Sequence, residues 1–149
     1  MGGALGFTLL ELLAVLALLG LMMALVLPGL QRTLQRERER ADLRQFMTAM
    51  RTARSVAATT HTRQRVFIDL KNHRYRLEGS PRLGELNGLR LTDARLVWQG
   101  PERQQGYVAF YGDGSSTGGK LVLVESGGLR HLLDVAVITG KVSLKAIRQ

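Results

Sequence analysis

The chain has no cysteine, which excludes disulfides and thiolate metal sites. Aromatic residues make up only 5% of it and proline occurs three times, so long helical segments are free to run without interruption. Histidine occurs three times, at His61, His73 and His131; none has a paired carboxylate nearby at metal-ligand spacing, and each is expected at the surface or in a turn. The first 31 residues contain no Lys or Arg, and their one acid is Glu11. A secretory signal needs a basic stretch before its apolar core and a small-residue cleavage site after it, and neither is present. No metal or cofactor is expected, and the residues hold no constellation for catalysis. Ser115 and Ser116 lack the strand–turn–helix serine context of a hydrolase, and Asp113 and Asp134 lack the dense carboxylate loop of a Ca²⁺ site.

What is present is an apolar run over residues 9–27 whose single charge is Glu11. Its length suits a bilayer, which about 20 apolar residues cross. A carboxylate near the centre of such a helix costs about 2.5–3.5 kcal/mol on insertion scales, so its presence calls for a partner. The small residue nearest the run, Gly6, stands before it rather than after it.

All 21 Lys and Arg follow residue 31, with all but one of the 12 acids, so the remainder is strongly basic. Excess positive charge favours polyanions or acidic protein surfaces and says nothing of fold. At 149 residues the chain holds one modest domain beside the apolar segment. Leu34, Leu43, Phe46, Met47, Met50, Ala53, Val56 and Ala57 recur at three- and four-residue steps, which predicts an amphipathic helix. Arg36, Glu37, Arg40, Arg44, Arg51 and Arg54 fall largely off that stripe. A helix over 7–59 would be about 80 Å long at 1.5 Å per residue.

After His61 the period changes to two. Strands are expected at 65–70, 74–77, 89–91, 95–98, 107–111, 120–124, 131–138 and 141–144, with loops at 79–88 and 99–106. Close spacing of short strands implies antiparallel pairing against the helix. Arg63, Arg65, Phe67, Arg74, Tyr75 and Arg76 interleave charge and aromatics as a nucleic-acid surface does, but alternate arginines also make an ordinary wet strand face. Residues 114–120 fit G-x-x-x-x-G-K, yet Leu121 stands where a phosphate-binding loop needs Ser or Thr, and a strand pattern follows instead of a helix. A hairpin connection between 108–111 and 120–124 is expected, with glycine supplying positive φ.

Gly6-Phe7-Thr8-Leu9-Leu10-Glu11 resembles the processing motif of type IV prepilins and type II secretion pseudopilins. A second resemblance lies in Phe110-Tyr111-Gly112-Asp113-Gly114-Ser115-Ser116-Thr117-Gly118-Gly119 with Asp134-Val135 and Thr139-Gly140-Lys141-Val142. It is similar to the C-terminal domain of minor pilins of the GspH/FimT family, with Lys141 in place of the common Arg. The resemblance implies an α+β pilin-like fold, with a long N-terminal helix packed on an antiparallel sheet or two small sheets. Residues 1–6 would be the leader, 7–30 the transmembrane and filament-core helix, and 31–149 a periplasmic domain (helical over 31–60, β over 61–149).

Cleavage would fall between Gly6 and Phe7, leaving Phe7 as an N-methylated terminus. Glu11 would pair with that amine on a neighbouring subunit, and Pro28 would stand where the family has a kinking proline; the lesser alternative by the residues alone is a simple helix boundary. The family loop comprises Gly112, Asp113, Gly114, Ser115, Ser116, Gly118 and Gly119. Implied partners are the tip-complex and major pseudopilins, a prepilin peptidase and the inner-membrane assembly platform. The implied location is the bacterial inner membrane, crossed once, and the implied role is a minor pseudopilin, not an enzyme. The alternative within the same resemblance is a FimT-like minor pilin that binds DNA, with Lys141, Lys145 and Arg148 as contacts. The leader departs from the family in lacking basic residues, and charge bias alone would favour the opposite orientation; either the chain starts further upstream or the dedicated pathway orients it.

Overall fold

A computed structural model describes residues 8–147, without the side chains of 25–28 and 30. The chain divides after Arg36 into two units. One helix, α1 (Leu9–Thr60, 52 residues), supplies the described part of the first unit and begins the second.

In the first unit Thr8 caps α1. Its Oγ1 accepts from the Glu11 N–H at 3.2 Å and its carbonyl from the Leu12 N–H at 3.2 Å. Thr8 and Glu11 thus take the Ncap and N3 places of a capping box, in which a hydroxyl satisfies an orphan amide of the first turn. Every described side chain of 9–24 is exposed. A helix that is apolar all round needs a covering of lipid or of other helices. Among residues with described side chains no helix is long and apolar enough to cross a membrane; the described stretch stops at Ala24, whereas the apolar sequence runs on to Leu27. The helix continues through Pro28, so a helix boundary there is excluded. Proline removes one backbone donor from the ladder, and one turn on, the Thr33 hydroxyl donates to the Gly29 carbonyl at 3.1 Å.

The second unit folds the rest of α1 against two antiparallel sheets. The strands are β1 (Gln64–Asp69), β2 (Arg74–Leu77), β3 (Leu83–Glu85), β4 (Leu89–Arg95), β5 (Val97–Trp98), β6 (Gln105–Phe110), β7 (Gly119–Glu125), β8 (Arg130–Val135) and β9 (Val142–Ile147). Sheet 1 runs β3-β2-β1-β6-β5 and sheet 2 runs β4-β7-β8-β9. The α+β class holds, with two sheets rather than one.

The core follows from the two periodicities. Leu43, Phe46, Met47, Met50, Ala53 and Ala57 form the buried helix face. Val66 and Ile68 of β1, Val108 and Phe110 of β6, Leu121 and Leu123 of β7, and Leu133 and Val135 of β8 face the core at every second position. Burying each large apolar side chain stabilises by about 1.5–3 kcal/mol. Phe46 and Tyr75 meet with ring centroids 4.8 Å apart. The helix ends where β-branched residues gather and His61 turns to φ 53°; the Thr59 and Thr60 hydroxyls donate back to the carbonyls of Ser55 and Val56.

Several expectations change. Leu34 is exposed, and Val56 is only half-buried. The loop expected over 79–88 contains β3. β8 stops at Val135 because 136–140 form a tight turn, and β9 runs from 142 to 147. β6 and β7 belong to different sheets, so the segment joining them crosses between sheets and is no hairpin. Tyr75, grouped with the wet arginine face, turns into the core. His131, expected on the surface, is buried on β8 with its Nε2 2.6 Å from Glu125 Oε1.

Candidate functional site

Three regions carry the residues singled out by sequence. The first is the start of α1. Gly6 and Phe7 lie outside the described residues. Glu11 stands exposed in the first turn. A negative charge there is favoured by the partial positive charge of a helix N-terminus. Its backbone N–H is satisfied by Thr8, which leaves the side chain free of any role in its own amide's pairing. Of Pro28, only the helical backbone is described.

The second region is the glycine–serine loop over 111–119, which ties together three parts of the domain. Tyr111 donates its N–H to the Ser115 carbonyl at 2.9 Å, and Gly114 to the Tyr111 carbonyl at 3.1 Å. The Ser115 N–H and hydroxyl both donate to Asp113 Oδ1, at 2.9 and 2.6 Å. Those bonds from Ser115 hold the Asp113 carboxyl below its usual range. Ser116, almost fully buried, donates its N–H to the Val137 carbonyl at 2.7 Å and its hydroxyl to the Ala136 carbonyl at 2.8 Å. The same hydroxyl accepts the Gly118 N–H at 2.9 Å. Thr117 and Ala109 exchange two bonds, Thr117 N–H to the Ala109 carbonyl and Ala109 N–H to the Thr117 hydroxyl.

These bonds settle the phosphate-loop question physically. The amides of Gly114, Ser115, Ser116, Thr117 and Gly118 all donate within the protein, so they cannot converge on a bound phosphate. The glycines serve close approach. A Cβ on Gly112 would lie 2.7 Å from the His61 Cα, and one on Gly118, at φ 71°, would lie 2.7 Å from Val137 Cγ2. Arg54 of α1 donates to the Thr139 carbonyl at 3.1 Å, binding the 136–140 turn to the last turns of the helix. The family loop is therefore a structural junction of α1, β6 and the β8–β9 turn.

The third region is β9. Lys141 and Lys145 are exposed, Lys145 on the edge strand of sheet 2 opposite Leu132. Arg148 lies outside the described residues. The structure thus places two of the three proposed DNA contacts at one sheet edge. Of the aromatic–arginine set, Arg65, Phe67, Arg74 and Arg76 lie on the face of sheet 1 opposite Tyr75, with Arg65 over Phe67 and Tyr107 at 5.0 and 5.7 Å and Arg76 over Phe67 at 5.6 Å. Arg65 also pairs with Glu78 and Arg74 with Glu85 at 3.0 Å, so two of these three cations are already neutralised.

Sequence reasoning missed Glu39. It continues the buried helical stripe through Leu43, Phe46 and Met50, and it is itself buried. Its Oε1 accepts from the N–H and hydroxyl of Ser126, between β7 and β8. One turn along, Asp42 accepts the Gly88 N–H at 3.1 Å. A Cβ on Gly88 would fall 2.5 Å from Glu39 Cγ, so only glycine lets that loop close on the helix. The spacing of Glu39 from Leu43 and Phe46 was the available signal. Missed likewise was Thr8 as the N-cap of α1, legible as T-x-x-E ahead of an apolar run.

Among the described residues no group of three or more His, Cys, Asp or Glu side chains could hold a metal. The residues assembled here bind one another: the geometry joins elements and presents surfaces.

Comparison with known proteins agrees with that character. No protein-family model matches the chain. The type II secretion system protein H of Xanthomonas campestris pv. campestris is 34% identical over 146 residues, covering 96% of this chain and 84% of that protein. Among solved structures, the minor pseudopilin EpsH from the type 2 secretion system of Vibrio cholerae superposes with a TM-score of 0.56 at 16% identity, covering 73% of this chain and 97% of that one. The type IV minor pilin FimU of Pseudomonas aeruginosa gives 0.55 at 15% identity, covering 76% and 96%. At such identities the two structures are evidence of shared fold only.

Proposed function

The chain belongs to the family of type II secretion system protein H, and from that premise we propose that it works as a minor pseudopilin, a structural subunit assembled at the tip of a pseudopilus. The observation that carries this reading is the identity to a secretion protein along nearly the whole chain. The relative belongs to type II secretion, so the DNA-binding pilin alternative is not favoured.

In this reading a prepilin peptidase cuts between Gly6 and Phe7, and Phe7 is N-methylated. Residues 7–30 anchor the chain in the inner membrane with the domain in the periplasm, and the assembly platform lifts the helix out among sister helices. The exposed leucines of α1 then exchange lipid for neighbouring helices, so little apolar surface is wetted during assembly. The Glu11 carboxylate pairs with the Phe7 amine of a neighbouring subunit. In low dielectric each charge is tolerated only with its partner, and this makes the pair selective for one axial register. Pro28 leaves a carbonyl without its helical donor and loosens the helix midway. The domain supplies contacts to the other tip pseudopilins and performs no catalysis.

The experiment is co-purification of the membrane-extracted tip complex with Glu11→Ala and, separately, Thr8→Ala. Glu11→Ala is expected to be processed normally but to recover at least tenfold less of the partner pseudopilins, with Thr8→Ala close to wild type. Equal loss from both variants would assign Glu11 to helix capping alone, and full recovery with Glu11→Ala would refute the pairing.

A further inference from the structure

Where sheets 1 and 2 part company, β4 leaves sheet 2 and passes through Leu96 directly into β5 of sheet 1. The gap beside this crossing is an open groove of about 600 Å³. Its apolar lining includes Leu96, Val97, Trp98 and Val137. Trp98 is half-buried, and it is the only tryptophan of the chain. Val137 is 58% exposed, and Ile138 beside it is 86% exposed. These two side chains sit on a turn whose backbone is held on all sides. Ser116 donates to the carbonyls of both Ala136 and Val137, the Ala136 N–H donates to the Lys141 carbonyl, and the Gly140 N–H returns to Ala136. An exposed apolar pair on a rigid turn has little conformational entropy left to lose on binding, which is the property of an interface anchor.

The charges along the groove are positive by three to one. Arg95 and Lys120 are direct partners across β4 and β7, so their side chains rise from the same face. Like charges set opposite one another destabilise a sheet. Arg103 lines the same groove, and the one acid there, Asp134, is the cross-strand neighbour of Lys120. Among the described residues none of the three cations forms an ion pair. On sheet 1, by contrast, Arg65 and Arg74 each have a carboxylate partner.

We propose that this groove docks an extended, acidic segment of a partner protein, with apolar side chains seated on Trp98 and Val137 and carboxylates between Arg95, Lys120 and Arg103. The segment brings negative charge to Arg95, Lys120 and Arg103 beyond the single carboxylate of Asp134. This inference does not depend on the secretion reading, since it asks only for a protein partner of that composition.

Trp98 provides its own readout. The full chain in neutral detergent micelles is titrated with a tryptophan-free twelve-residue peptide of alternating Glu and Leu, and Trp98 emission is followed. The expected result is a saturable blue shift, weakened at least tenfold by Arg95→Glu/Lys120→Glu, and weakened again as salt rises through the range that screens surface charge. The reversed pair should gain binding to the same peptide with Lys in place of Glu. Urea unfolding of the reversed variant checks its fold, and Val137→Ser, which leaves the charges untouched, should weaken the Glu–Leu peptide severalfold. The proposal is overturned by no saturable shift, by equal shifts with the Glu and Lys peptides, or by a shift indifferent to the charge reversal. Binding of a twelve-base oligothymidylate in place of the acidic peptide would also overturn it, in favour of a simple polyanion surface.

Discussion

Replacing Ser116 by alanine removes one hydroxyl and no volume of consequence, yet that oxygen lies almost fully buried at the junction of the two sheets. It accepts the Gly118 N–H at 2.9 Å and donates to the Ala136 carbonyl at 2.8 Å. The two losses are unequal. Ala136 keeps a second donor, the Gly140 N–H at 2.9 Å, so its carbonyl loses a bond without being orphaned, at about 1 kcal/mol or less. The buried Gly118 amide is left with no acceptor, at about 1–3 kcal/mol. The sum is about 1–4 kcal/mol. With a urea m-value of about 2 kcal/mol/M, the middle of the range for small domains, the midpoint should fall by about 0.5–2 M with an unchanged slope. Trp98 emission of the full chain in micelles reports the transition. Ser115→Ala is the control, because the Ser115 hydroxyl bonds only the exposed Asp113 side chain, and surface changes stay within about 0.5 kcal/mol. A Ser116→Ala midpoint matching that of Ser115→Ala would refute the description of this loop as a junction.

Gly112→Ala places a methyl 2.7 Å from the His61 Cα; backbone cannot give way as a side chain can, so about 1–3 kcal/mol of stability should be lost, while Gly127→Ala, with open space around it, should leave the urea midpoint unchanged. Glu78 is held below its usual pKa by the hydrogen bond from Arg65 and then by its charge. A depressed carboxylate contributes stability that is complete above its unfolded pKa, about 4.3, and is lost as pH falls through the folded value. Glu78→Gln should therefore be less stable at neutral pH and show a shallower decline below about pH 4.3; identical acid limbs in urea titrations at each pH would contradict this. Co-expression with a prepilin peptidase should give a chain whose intact mass begins at N-methylated Phe7, and an unchanged Met1 terminus would remove the processing claim.

The helix stripe and the period-two strands were legible because each reports only whether a side chain faces water or core, and that depends on local geometry. Phe46, Met50, Val66, Leu121 and Leu133 all fell where their spacing put them. Sheet membership was not legible. Phe110 and Leu121 both point inward whether 111–118 forms a hairpin or a crossing, so the pattern cannot distinguish the two. Glu39 was hidden for a different reason: its partner Ser126 is 87 positions away, and a carboxylate on an apolar stripe reads as a defect until that partner is known. His131 was similarly misplaced, although its alternation with Leu133 and Val135 set it on the core face. The 114–120 segment carried the opposite hazard, a motif without the helix or hydroxyl its chemistry needs, and Leu121 was enough to reject it. The anchor motif depended on neither spacing nor packing, only on residue identity, and it lies partly outside the described structure.

The most direct test of the account is to delete the gene from its own bacterium and compare exoprotein activity in the medium with activity held in the periplasm. The account predicts that exoprotein accumulates in the periplasm and that the wild-type gene restores its release, whereas Glu11→Ala does not. Undiminished release from the deletion strain would contradict a place for this chain in type II secretion.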